Sequence, residues 1–353
     1  MGEHSSPLRK YCLFYYLSHM NFITGGTGLL GAHLLYHLVS KGEPVRALKR
    51  KGSTLKTAQD IFEFYSADKT LFSKVEWVDG DVLDIPSLQE AMQGCDYVYH
   101  CAATVSFAKR DKDQMFKINI EGTHNLVNMA LKLNIKKLCH VSSTAALGDS
   151  VEDGKITEEK LWEDKEGRSN YAFSKKFSEM EVWRGIEEGL NAVIVNPSVI
   201  IGPGNEEKSS ASLFNKVKKG LKFYTQGVNG FVDARDVAEI MVRIMKSEIH
   251  SERFLAISEN ISFKELFESI AKYLNLPAPA HEAKRWMAEI IWRVDALRCF
   301  LFRAQPFITK ENAQSAYRKA YYSNEKARER LGFEYRSVRR SVEDAAGFYL
   351  KIK

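Results

Sequence analysis

A tyrosine and a lysine four residues apart on a helix share one face. The phenol can then exchange a proton while the neighbouring ammonium favours its ionisation. The spacing occurs four times in this chain, at Tyr65–Lys69, Tyr171–Lys175, Tyr322–Lys326 and Tyr349–Lys353, so it selects none of them alone. Context does. Tyr171 and Lys175 open a long helical pattern that follows an apolar segment ending in Val141-Ser142-Ser143-Thr144. Ligands of parallel sheets bind at the carboxyl ends of strands, and there Ser143 can hydrogen-bond the same substrate oxygen that Tyr171 protonates. This is acid–base chemistry at a carbonyl or a hydroxyl.

The second constellation is Thr24-Gly25-Gly26-Thr27-Gly28-Leu29-Leu30-Gly31, between an apolar segment and an amphipathic helical pattern. Gly25 permits a tight turn, Gly28 lets backbone approach a phosphate, and Gly31 lets the helix sit close on the strand. The free N–H groups and positive dipole end of that helix suit a dinucleotide pyrophosphate. An NAD-selective site places an acid about 20 residues on, against the ribose 2′-hydroxyl. Here the second strand ends in Lys49-Arg50-Lys51 with no acid in that run. Such cations attract a 2′-phosphate, so NADP is the expected cofactor, with NAD the alternative.

Positioning these groups requires a doubly wound parallel sheet. Strand and helix patterns alternate to about residue 200, predicting an α/β Rossmann-type sheet with helices on both faces. Strands are expected at Met20–Ile23, Val45–Leu48, Val75–Val78, Tyr97–Cys101, Lys137–Val141 and Ala192–Val195, with long helices over Asp113–Leu133 and Asn170–Glu188. The rhythm changes after Gly202-Pro203-Gly204. Residues 20–200 with 231–257 are assigned to the cofactor domain, and 201–230 with 258–353 to a smaller α/β substrate lobe. The acidic stretch Asp149–Arg168 is read either as a flap over the substrate or as a surface loop.

Composition narrows the setting. Five scattered cysteines without a CxxC pair point away from a disulfide framework or zinc site and towards a reducing compartment, hence cytoplasm. No Asp, Glu, Lys or Arg occurs from Tyr11 through Ser40, but the glycines in the middle of that run favour a buried strand–turn–helix over a membrane span. Residues 1–19 are expected to be a dispensable, partly disordered leader. The net charge of +6 is concentrated in Ala283–Lys353, where acids interleave the bases at helical spacing, so a nucleic-acid partner is not expected. Residues Ala283–Arg303 form a basic amphipathic pattern, read as packing on the lobe core, with a membrane-surface helix as the alternative.

From Met20 onward the chain resembles the extended short-chain dehydrogenase/reductase family, the NAD(P)-dependent epimerase/dehydratase group. The matches stand in family order: TGGTGLLG, Asp81-Val82, His100-Cys101-Ala102-Ala103, Asn119-Ile120-Glu121-Gly122-Thr123, Ser143, and Tyr171 with Lys175. The resemblance implies a catalytic tetrad of Asn119, Ser143, Tyr171 and Lys175. It also implies cofactor contacts at Gly25, Thr27, Gly28, Leu29, Leu30, Gly31, Lys49, Arg50, Asp81, Val82, Cys101, Ala102, Ala103, Tyr171, Lys175, Pro197 and Val199. A homodimer is implied through the helices Asp113–Leu133 and Asn170–Glu188, with Phe116, Ile120, Leu126 and Met129 as apolar contacts.

The branch is argued from departures. Sugar-nucleotide epimerases carry Arg-Pro-x-Asn-x-Tyr-Gly-Pro after the sixth strand, whereas this chain reads Asn196-Pro197-Ser198-Val199-Ile200-Ile201-Gly202-Pro203. With Phe231-Val232-Asp233-Ala234-Arg235-Asp236 and Tyr322-Ser323-Asn324-Glu325-Lys326-Ala327, it looks like the dihydroflavonol-reductase-like branch. The implied activity is reduction of a small or medium apolar ketone or aldehyde, or the reverse oxidation. Val105, Phe107, Val199–Ile201 and Trp162 are the expected pocket walls. A sugar-nucleotide epimerase or dehydratase holding NAD, a sterol-type dehydrogenase, and a non-catalytic dinucleotide sensor are the other readings.

Overall fold

The computed structural model describes residues 19–148, 154–162, 168–207, 209–302, 313 and 315–351. The proposed leader, apart from His19, and parts of the acidic stretch 149–168 therefore lie outside the described residues. Twelve strands follow in chain order among the described residues: β1 (Asn21–Thr24), β2 (Val45–Lys49), β3 (Val75–Asp79), β4 (Tyr97–His100), β5 (Lys137–Val141), β6 (Ala192–Pro197), β7 (Val199–Ile201), β8 (Phe223–Tyr224), β9 (Val228–Asp233), β10 (Glu252–Ala256), β11 (Glu259–Ser262) and β12 (His281–Glu282).

Seven of these strands form one parallel sheet in the order β10-β6-β5-β4-β1-β2-β3. The order reverses between β1 and β4, which opens a crevice at the carboxyl edge of those two strands. Thr24 stands beside His100, and His100 beside His140, in one row across the sheet.

Each central strand is apolar on both faces, as a sheet covered on two sides requires. Ile23, Tyr99, Cys139 and Val193 join the helices Leu29–Ser40 and Ala234–Met245 in one core. Their neighbours Phe22, Val98, Leu138 and Ile194 face the helices Ile85–Met92, Gly122–Lys132 and Asn170–Glu187 in another. Truncating a fully buried residue such as Ile194 to Ala would cost about 2–5 kcal/mol.

The lobe is built on the three-stranded sheet β11-β9-β7. Phe214, Phe231, Leu266, Ile270, Val342 and Phe348 fill its core. Helix Phe263–Tyr273 starts on a capping box between Ser262 and Glu265, a device worth about 1 kcal/mol at a helix start. Helix Glu325–Leu331 lies against the large sheet instead, placing Ala327 and Phe333 in the first core.

Three sequence expectations need correction. The helix expected over Asp113–Leu133 is divided by a π turn at Lys117–Glu121, flanked by helices Lys112–Phe116 and Gly122–Lys132. Leu126 and Met129, expected on a dimer surface, are buried in the chain's own second core. The apolar residues exposed along the neighbouring helix are Phe177 and Met180. Finally, helix Arg285–Phe302 does not pack its apolar side on the lobe: Trp286, Ile290, Val294, Leu297 and Leu301 face outward.

Candidate active site

The glycine turn does what its sequence requires. Gly25 has φ +74°, and a Cβ there would lie 2.6 Å from the Ala102 nitrogen. A Cβ on Gly31 would lie 2.2 Å from the Gly25 carbonyl, so glycine is what lets helix Leu29–Ser40 sit on the turn. Gly28 caps that helix with no side-chain hydrogen bond, and the first turn carries no acid. The helix start thus offers N–H groups and dipole to an anion, which fits a dinucleotide pyrophosphate.

A cleft above the turn is lined by Gly25, Thr27, Gly28, Lys49, Arg50, Asp81, Val82, Cys101, Ala102 and Ala103, all expected from the sequence. Thr24, Leu48, Ser53, Gly80, Thr104 and Ile118 join them and were not expected. Leu29, Leu30, Gly31, Tyr171, Lys175, Pro197 and Val199 do not line it. Leu30 is buried in the first core, Leu29 abuts Gly204, Pro197 ends β6, and Val199 packs against the lobe.

At the ribose end the three cations are not equivalent. Lys49 forms an ion pair with Asp79, the last residue of β3. The run after β2 itself holds no acid. The acid arrives laterally from the neighbouring strand. Arg50 is exposed on the cleft rim near Ser53, and its guanidinium has no ion pair among the described residues.

Ser143 follows β5 and caps a short 3-10 turn, its Oγ accepting from the Ala145 N–H at 3.1 Å. Ser143 faces the Tyr171 hydroxyl and favours its ionised form, and Phe107 meets the Tyr171 ring edge-on at 5.9 Å. Desolvation pushes the Tyr171 pKa up, partly opposed by Ser143. This corrects the expected lowering by Lys175. One turn on, Lys175 is 2% exposed and donates to the Val141 carbonyl at 2.7 Å. Burial pulls its pKa to about 8, while Glu179 favours its charged form.

The π turn sets Asn119. Its Nδ2 donates to the Thr104 carbonyl at 2.9 Å and to Ser174 Oγ at 3.0 Å, and its Oδ1 accepts from the Thr104 N–H. Its carbonyl accepts from Thr123 Oγ1 at 2.6 Å. Thr123 Oγ1 lies 3.0 Å from His100 Nε2, and His100 Nδ1 lies 2.7 Å from Thr24 Oγ1. With the Thr123 proton committed to Asn119, His100 donates through Nε2 and accepts from Thr24 through Nδ1. Thr24 Oγ1 in turn accepts from the Ala102 N–H at 3.2 Å. One buried chain of polar contacts therefore joins the π turn to the cleft.

Glu179, which sequence reasoning missed, anchors the other side. It accepts from Ser142 at 2.6 Å, Asn196 at 2.8 Å and Arg253 at 3.0 Å. Its signal was legible as a carboxylate one helical turn after Lys175. Asn196 also donates to the Ser143 carbonyl at 3.0 Å, so this residue braces the site internally.

The other Tyr-x-x-x-Lys pairs have structural duties. Tyr65 lies 3.1 Å from His33 Nε2, Tyr322 pairs with Ile156 in a β-bridge, and Tyr349 donates to the Gly202 carbonyl at 3.3 Å. Of the expected pocket walls, Val105 is exposed and Trp162 stacks under Arg168 at 3.9 Å.

A Rossmann-type sheet with a glycine turn, and a Tyr–Lys helix at its carboxyl edge, defines an NAD(P)-dependent oxidoreductase of the short-chain dehydrogenase/reductase type. The chain belongs to the NAD dependent epimerase/dehydratase family, whose pattern matches residues 21–256. It is 28% identical over 336 residues to a putative dihydroflavonol 4-reductase of Synechocystis, covering 93% of this chain and 94% of that protein. Tetraketide alpha-pyrone reductase 2 of Arabidopsis thaliana is 30% identical over 271 residues, covering 72% and 83%. The crystal structure of gox2253 superposes with a TM-score of 0.77 at 27% identity, covering 94% of this chain and 98% of that one.

Proposed function

We propose that this enzyme is an NADP(H)-dependent reductase of small or medium, largely apolar ketones and aldehydes. The observation that carries the reading is Tyr171 facing Ser143 with Lys175 one turn along the same helix, beside the cofactor cleft. The bound nicotinamide supplies hydride chemistry. Gly25, Gly28 and the start of helix Leu29–Ser40 hold the pyrophosphate. Arg50 and Ser53 meet the 2′-phosphate, and Asp81 and Val82 the adenine side. Ser143 orients the substrate oxygen and Tyr171 transfers a proton to it, while Lys175 stabilises the phenolate that remains.

The substrate class is supported by chemistry as well as by relatives named as reductases. A sugar nucleotide brings a pyrophosphate and several hydroxyls, each needing a partner once buried. Asn196, at the position where sugar-specific relatives carry Arg, is fully buried and committed to Ser143 and Glu179. The chain is read as a cytoplasmic homodimer, with Phe177 and Met180 as the exposed apolar residues on the shared helix face. Light scattering of wild type and Phe177→Asp tests the assembly.

The deciding experiment follows NADPH oxidation by purified protein across aromatic and aliphatic ketones and aldehydes, alongside Tyr171→Phe. Turnover that Tyr171→Phe abolishes supports the reading. Micromolar calorimetric binding of UDP-glucose to cofactor-loaded protein would overturn it in favour of an epimerase.

A further inference from the structure

Helix Arg285–Phe302 carries a strip of large apolar side chains that no other described part of the chain covers. Trp286 is 61% exposed, Ile290 54%, Val294 62%, Leu297 58% and Leu301 62%. At about 100° per residue these five positions fall within a band roughly 80° wide along the whole helix. On the opposite side Ala288 and Asp295 are covered, 8% and 6% exposed. The helix therefore presents large apolar side chains outward along its length, Ile291 and Phe302 being exposed beside the strip as well.

The charges around the strip indicate what covers it. Arg293 borders it on one side, Arg298 stands between it and the exposed Ile291 and Phe302 on the other, and exposed Lys284 and Arg285 stand at its amino end. The only two acids of residues 284–302, Glu289 and Asp295, lie off the strip and pair with Arg293 at 2.6 Å and Arg298 at 2.7 Å. Residues 284–302 carry four Lys and Arg against these two acids, with the excess at Lys284 and Arg285, so a second copy would add like charge to like whereas an anionic surface would complement it.

No helix among the described residues is long and apolar enough to cross a membrane. An amphipathic helix with one apolar face and basic flanks is instead the form that lies in the headgroup plane, its apolar face about 5–10 Å deep. We propose that helix Arg285–Phe302 docks the enzyme on an anionic lipid bilayer surface, with Trp286, Ile290, Val294, Leu297 and Leu301 entering the interface. Docking would put the substrate lobe against a reservoir of apolar molecules.

The test uses the full chain in co-sedimentation with vesicles of phosphatidylcholine and phosphatidylglycerol, and with phosphatidylcholine alone. Wild type is expected to pellet with the anionic vesicles and to be released by raised salt. Ile290→Glu, Val294→Glu and Leu297→Glu together should lower the partition coefficient about tenfold or more, because charge replaces apolar area at the interface. The thermal melt should stay unchanged, since all three side chains face outward. As a milder variant, Lys284→Gln with Arg285→Gln should weaken binding to anionic vesicles while leaving the weaker binding to phosphatidylcholine unaltered. Wild type that stays in the supernatant, or a triple variant that pellets like wild type, would overturn the proposal. So would a wild-type dimer that ignores vesicles and is dissolved by the triple substitution, which would assign the strip to a second copy.

Discussion

Asn119 holds Thr104 by both of its backbone groups. The amide oxygen accepts from the Thr104 N–H at 2.7 Å, and the amide nitrogen donates to the Thr104 carbonyl at 2.9 Å. Because Thr104 lines the cofactor cleft and Ser174 on the Tyr–Lys helix receives the other Asn119 proton, this side chain fixes one element against the other. Asn119→Asp removes both donors and aims a carboxylate at a carbonyl. The cost of buried groups left without partners is about 1–3 kcal/mol each. The expected result is a lower urea midpoint together with weaker NADP(H) binding. An Asn119→Asp protein matching wild type in both measurements would remove this residue from the site.

Tyr171→Phe should reduce turnover by about two to four orders of magnitude, the range of general acid catalysis, with cofactor affinity little changed. The pH profile adds a second reading. Lys175 sits at about 8, below its ordinary value, so its charge is present below that pH and lost as pH rises through it. Tyr171 is shifted upward, so it remains the protonated donor over the same range. Reduction should therefore fall on the alkaline side near pH 8. A rate constant flat from pH 7 to 10 would contradict the role given to Lys175.

Cofactor preference should depend on Arg50 more than on Lys49. Lys49 is already paired with Asp79, whereas Arg50 is open to a 2′-phosphate. Arg50→Ala should reduce NADPH affinity by about 1.5–3 kcal/mol, roughly 10- to 150-fold, while leaving NADH binding nearly unchanged. Lys49→Ala should do less. Asp79→Asn, by freeing Lys49, should strengthen NADPH binding. Fluorescence titration of the variants with both cofactors separates these outcomes, and equal wild-type affinity for the two would refute the preference.

The sheet was legible because its signals are local. Short apolar runs separated by helical patterns marked β1 to β6, and the glycine spacing located the phosphate turn almost to the residue. What stayed hidden depends on lateral partners. Asp79 reaches Lys49 from the next strand, and Glu179 acquires its meaning only when β5, β6 and β10 bring Ser142, Asn196 and Arg253 around it. The π turn at Lys117–Glu121 was invisible for a different reason. The chain stays helical through a single π turn, and no residue type marks one, so the segment reads as one helix. The exposed strip at Trp286–Leu301 shows the limit of periodicity itself, which reveals an apolar face but not whether protein covers it.

Three buried histidines should make the protein sensitive to mild acid. His33, His100 and His140 are each almost wholly enclosed, and burial lowers their pKa values, to about 4 for His33, about 3 for His100 and well below normal for His140. His33 and His100 have hydrogen-bond partners, but neither ring nitrogen of His140 has one among the described residues. In the unfolded chain all three would titrate near 6.5. Between there and about pH 4 the unfolded state binds more protons than the native state, so stability falls as pH falls through this window. Each such group contributes up to about 1.4 kcal/mol per pH unit, or about 4 kcal/mol for three. Urea midpoints should drop steeply from pH 7 to 5.5, before most carboxylates titrate. His140→Leu should shallow that slope by about one quarter, since burial also lowers His37 to about 4 and His140 is one of four similar groups, lost here without breaking a hydrogen bond. A wild-type stability that is level from pH 7 to 5.5 would mean that these rings are hydrated or charged in the native protein.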